Sequence, residues 1–187
     1  MRKFFTLLWL LFPVAVLTYH FNEGPKQMAR ERARAHVERI EAMKAAKEPD
    51  WTEIIEQYDA LAHELAKDER PLIQHEIQLA KAKARLELLD VAGSIEELNA
   101  LLQECAKIHG EDAPVTRATR ETLGKAHYYA TFLLKTNGAA EEEWRPFAER
   151  TWQIFRFLAE HQDPAALAQY EQRVAKELEK TIERRTR

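Results

Sequence analysis

Cysteine occurs once in the 187 residues, at Cys105. That excludes an internal disulfide framework and any Cys-based zinc finger. Glycine numbers 5 and proline 7, too few for a fold built from many tight turns. No glycine-rich phosphate loop, dinucleotide fingerprint or Ser-centred elbow occurs. A basic excess is missing too: 28 Lys and Arg against 31 Asp and Glu leave a net charge of −3. Nucleic acid binding needs a positive field that this chain lacks. What remains is 45% hydrophobic and 32% charged, in a length that suits one domain with an appendage and can bury a real core.

The long apolar run lies at the N-terminus. Phe4 to Leu17 is apolar apart from Thr6, Arg2 and Lys3 precede it, and Thr18 to Phe21 close it. A positive start before an apolar stretch begins like a secretory signal. The small-x-small cleavage pattern is missing, since Leu17 follows Ala15 and Thr18-Tyr19-His20 ends in a bulky ring. The preferred reading is therefore an uncleaved signal anchor over 1–22, with a cleaved signal peptide or a buried soluble helix as alternatives. About 18 apolar positions rising ~1.5 Å each just reach across a ~30 Å hydrocarbon core. Pro13 within the run is better tolerated in lipid than in a soluble helix. Lys/Arg counting, with Lys26, Arg30, Arg32, Arg34 and Arg39 after the run, favours a cytoplasmic domain. The short N-terminal tail favours export. We expect a single-pass membrane protein with its soluble domain on the exported, periplasmic or extracytoplasmic side.

Residues 23–187 are rich in Ala, Leu, Glu, Lys, Arg and Gln, all helix formers. No strand-like alternation of useful length appears. Proline near starts and glycine past ends divide this part into helices near 26–48, 51–67, 71–92, 95–109, 115–137, 141–161 and 164–185. Asp50 with Glu53 and Ser94 with Glu97 read as N-terminal capping pairs, and Asp163 caps the last helix ahead of Pro164. Odd helices start near 28, 71 and 115, and even ones near 51, 95 and 141. A hairpin period of about 44 residues points to a repeat architecture.

The segment Leu79 to Gly110 resembles a tetratricopeptide repeat. Gly93 stands at the family's inter-helix glycine, Leu98 and Cys105 at the two small positions of the second helix, and Gly110 at the closing proline, while Leu86 replaces the small residue of the first helix. Ala126 to Asp163 resembles the same hairpin with a longer second helix, Gly138 opening the turn. The expected fold is all-α: an antiparallel helical-hairpin solenoid of about three pairs, closed by helix 164–185. In such solenoids the first helix of each pair lines a concave groove. By that resemblance His75, Gln78, Arg85, His127, Tyr128 and Lys135 are candidate partner-binding residues, and the implied role is protein–protein interaction in envelope assembly, secretion or complex biogenesis. The alternative for these residues is an ordinary solvated face.

The helix 141–161 is apolar over more than half its circumference. Trp144, Ala148, Trp152, Phe155 and Ala159 recur along one face, widened by Phe147, Ile154, Phe157 and Leu158. This predicts packing on two sides, with an aromatic peptide pocket as the rival reading. Catalytic patterns fail on inspection. His63-Glu64 and His75-Glu76 lack the second histidine of a zinc-protease helix, and no Glu-x-x-His or Cys-x-x-Cys-His occurs. Cys105 with His109 at i+4 is better read as a small core residue. No metal, cofactor or catalytic residue is expected. The sequence points to a membrane-anchored scaffold for a protein or peptide partner; the alternatives are a ligand-binding module or enzyme with a site between helices, and a plain tether.

Overall fold

The computed structural model describes residues 27–29, 31–66 and 70–162, with positions 172, 175, 176, 179 and 183 helical beyond them. The expected anchor over 1–22 and most of the expected helix 164–185 lie outside the described residues. Among the described residues up to 162, six helices follow one another, and no strand occurs among the described residues. They are α1 (27–29 and 31–44), α2 (Trp51–Glu64), α3 (Pro71–Glu87), α4 (Val91–His109), α5 (Pro114–Thr136) and α6 (Glu141–Gln162). None of the described helices is long and apolar enough to cross a membrane.

Local chemistry sets the boundaries. Asp50 caps α2 by accepting from the N–H of Thr52 and of Glu53 at 3.0 and 3.1 Å, which satisfies two orphan donors of the first turn. Pro71 and Pro114 occupy the first positions of α3 and α5, where a missing N–H costs nothing. At the end of α5 the N–H of Gly138 donates to Lys135 and that of Ala139 to Leu134, with Gly138 at φ 76°. This is the paired-bond stop that a left-handed residue makes possible.

The α3–α4 junction differs from expectation. α3 stops at Glu87 rather than 92, and α4 starts at Val91 rather than 95. The same paired-bond stop forms here, Leu89 donating to Leu86 and Asp90 to Arg85. Leu89 takes the left-handed position at φ 57°, a place where glycine is the usual occupant. Asp90, not Ser94, then caps α4 by accepting from Gly93 N–H at 3.2 Å. Gly93 thus lies inside the first turn of α4 and not between helices. A Cβ there would stand 2.8 Å from the Asp90 carboxylate, so glycine lets the cap close. Ser94 is buried and its hydroxyl donates back to the Asp90 carbonyl at 2.6 Å. The even helices start at Trp51, Val91 and Glu141, less evenly than the repeat spacing predicts. Pro146 lies within α6.

Neighbouring helices pack on one another, and α3 also meets α5. Two apolar clusters result. One joins Ala33 and Ile40 of α1, Ile54, Tyr58 and Leu61 of α2, and Ile77 and Ala84 of α3. The other joins Leu79, Ala82 and Leu86 of α3 to α4, α5 and α6, with Leu98, Leu123 and Phe155 fully buried. Helix α3 therefore contributes to both. Each fully buried large side chain contributes on the order of 1.5–3 kcal/mol. Of the α6 rings, Phe155 is buried and Trp152 is 49% exposed, so the buried face runs through Thr151, Ile154, Phe155, Leu158 and Ala159.

Candidate functional site

A cleft of about 410 Å³ opens between α1, α2 and α3. Its volume falls within the ordinary range for ligand sites. Trp51 at the start of α2 and Tyr58 two turns on give it aromatic walls, and Ala80 and Ala84 of α3 keep it open by their small size. Lys44 and Lys83 bring positive charge, and Glu76 and Glu87 negative charge. Lys44 lies over the Tyr58 ring, 5.4 Å from its centroid, and donates to Glu41 at 3.2 Å. Burial disfavours its ammonium, yet hydrogen bonding and charge from Tyr58 and Glu41 outweigh burial and raise its pKa. The cleft is thus an amphipathic surface with a fixed cation above an aromatic ring.

None of the six residues expected at a groove lines this cleft. Gln78 and Lys135 are exposed, and the Lys135 ammonium sits 3.9 Å above the Trp144 ring. Arg85 is half-buried and pairs with Asp90 and Glu97, each at 3.3 Å. Tyr128 is partly buried against the larger core. His75 and His127 are inside the protein, 3% and 8% exposed, and present no open surface. His75 Nδ1 meets His109 Nε2 at 2.9 Å. Both ring nitrogens of His127 lack a hydrogen-bond partner, and the ring lies 5.9 Å from that of Phe147. Burial, with a smaller push from the Arg150 charge, lowers the His127 pKa to about 4.

The reason lies in α5. It packs against α3, α4 and α6, so its polar residues are covered as well as its apolar ones. Thr116, Thr119, Arg120 and Thr122 are buried. Thr119 and Thr122 donate to the carbonyls of Val115 and Ala118, both at 2.8 Å. Threonine can satisfy its hydroxyl within its own helix in this way, which lets a polar-looking face enter a core. Arg120 pairs with Glu111 and stacks 4.4 Å from the Phe157 ring.

A polar link across three helices was not apparent from the sequence. Lys81 reaches Asp59 of α2 at 2.6 Å and Glu97 of α4 at 3.9 Å, and Arg85 one turn on shares Glu97. The i, i+4 spacing of Lys81 and Arg85 was the available signal. Cys105 is fully buried, and burial pushes its thiol pKa up while a hydrogen bond with Thr119 lowers it. Its i+4 neighbour His109 is turned to His75. Among the described residues no group of three or more His, Cys, Asp and Glu is disposed to hold a metal ion. No family model, curated protein or solved structure matches this chain, so the helix order and the α1–α3 cleft carry the functional reading.

Proposed function

We propose that the chain is a membrane-anchored helical-repeat scaffold that holds another protein or peptide, without catalysis of its own. In this reading α1–α2, α3–α4 and α5–α6 are three stacked hairpins of a tetratricopeptide-like solenoid. The apolar residues 4–21 fix it in the membrane, and the helical domain stands on the exported side. The observation that carries the reading is the double duty of α3. Its Ile77 and Ala84 enter one core and its Leu79, Ala82 and Leu86 the other, as expected when each layer is stabilised by its neighbours. The α3–α5 contact fits first helices of successive hairpins lying side by side.

The partner surface in this proposal is the α1–α3 cleft, where Trp51 and Tyr58 offer aromatic area beside charges of both signs. Such a mixture suits an amphipathic peptide segment. The test is photo-crosslinking of the full chain in membranes, with the reactive group placed at Trp51 or Lys83 and, as a control, at Glu149 on α6. One dominant adduct from both cleft positions, absent at Glu149, supports the proposal. Equal labelling from all three positions, or none from the cleft, counts against it.

A further inference from the structure

His75 and His109 belong to different helices and meet ring to ring, one near the start of α3 and the other at the end of α4. Their facing nitrogens, Nδ1 of His75 and Nε2 of His109, are 2.9 Å apart, and the ring planes are 82° apart. A contact of this kind has room for a single proton: one nitrogen carries it and the other offers a lone pair. On the far side of the His75 ring, Nε2 lies 3.5 Å from the Glu104 carboxylate. His75 is 3% exposed, so water does not replace these partners.

The protonation states of the pair are therefore unequal in their effect. As an imidazolium, His75 donates from Nδ1 to His109 on one side and turns its charge towards the Glu104 carboxylate, 3.5 Å from Nε2, on the other. A first added proton leaves the contact intact. A second cannot be accommodated, because His109 Nε2–H then points at His75 Nδ1–H and two cations face each other across a part-buried contact of 2.9 Å. Glu104 of α4 is the carboxylate facing the pair. Glu111, two residues after His109 in the sequence, is taken by Arg120 of α5, and neither ring forms another ion pair among the described residues.

We propose that the His75–His109 contact is an acid-responsive latch, holding the start of α3 to the end of α4 until both imidazoles are protonated. The latch releases one end of the α3–α4 hairpin while the cores on either side stay packed. Its trigger is proton concentration in the compartment that holds the helical domain.

Hydrogen exchange of the full chain in a mild detergent tests this, read at the amides of residues 75–78 and 106–109. These amides lie in the opening turns of α3, whose bonding begins at Ile73, and in the last turn of α4, which closes at Gly110. After correction for intrinsic rates, protection there falls by about tenfold or more between pH 7 and pH 5 in the wild type. His109→Gln retains an acceptor for His75 but takes up no proton, and its protection stays flat. Glu104→Gln removes the carboxylate that accommodates the first proton, and its loss of protection moves to higher pH. Parallel loss in wild type and His109→Gln, or a flat wild type, overturns the latch. Where His109→Gln fails to fold, an unchanged midpoint in Glu104→Gln overturns it instead.

Discussion

Gly124 of α5 lies directly under the Phe155 ring of α6: a Cβ at Gly124 would stand 2.5 Å from Phe155 Cε1 and 3.0 Å from Ile154 Cγ2. The missing side chain sets how closely the two helices approach. Gly124→Ala is expected to destabilise the protein by about 1–3 kcal/mol, the ordinary cost of overpacking, although alanine is the better helix former. Urea denaturation measures this. Adding Phe155→Leu, which withdraws the ring, recovers part of the loss. Strict additivity of the two substitutions would show that the contact does not limit packing.

The buried His127 makes stability depend on pH in a defined direction. Its pKa is about 4 when folded and near 6.5 when unfolded, so the unfolded chain takes up the proton first. Its contribution is fully present above pH 6.5, is lost as pH falls towards 4, and changes no further below that. The full shift corresponds to about 3 kcal/mol, an upper value that partial exposure to solvent reduces. His127→Leu removes this dependence, so wild-type stability is expected to fall relative to the variant's from pH 7 to pH 4. A constant difference would mean that the ring finds a partner in solution.

Two helix ends of the same type carry different residues at the left-handed position. Gly138 at φ 76° has open space where a Cβ would go, so Gly138→Ala costs only backbone strain, about 1–2 kcal/mol. Leu89 at φ 57° packs on the larger core. Leu89→Gly relieves comparable strain while losing apolar burial, and a net change under about 1 kcal/mol is expected. Thermal melts of the two variants distinguish these outcomes.

The Lys81–Asp59 pair tests how much the polar link contributes. The Asp59 side chain is 57% exposed, so water competes for the contact. A double-mutant cycle with Lys81→Ala and Asp59→Ala is expected to give a coupling of about 0.2–1 kcal/mol that shrinks with added salt.

The proposed anchoring by residues 4–21 has its own check. Deleting them is expected to move the chain from the membrane fraction to the soluble fraction after carbonate washing. Retention of the truncated chain in membranes would place the attachment elsewhere.

Helix content was legible because caps and prolines act locally: Asp50, Pro71 and Pro114 each mark a true start. The α3–α4 junction was not, because reading Gly93 as the stop assumes that only glycine takes a left-handed turn. Leu89 does so here, fixed by two backbone bonds and by its packing on the core, which no local pattern reveals. The candidate site was legible only in part. Gln78 and Lys135 are exposed, though away from the cleft. His75 and His127 were misplaced because polar residues were assumed to face water, whereas three neighbouring helices cover α5 and the hydrogen bond with His109 lets His75 enter. The cleft of Lys44, Trp51 and Tyr58 was missed because its walls come from three helices and share no sequence interval.

The double duty of α3 also bears on how such a chain can change over generations. A substitution at Ile77 or Ala84 is felt chiefly on the α1–α2 side. Leu79, Ala82 and Leu86 answer to the other side. Two surfaces of one helix can thus drift under separate constraints, while the helix itself cannot be deleted without orphaning both.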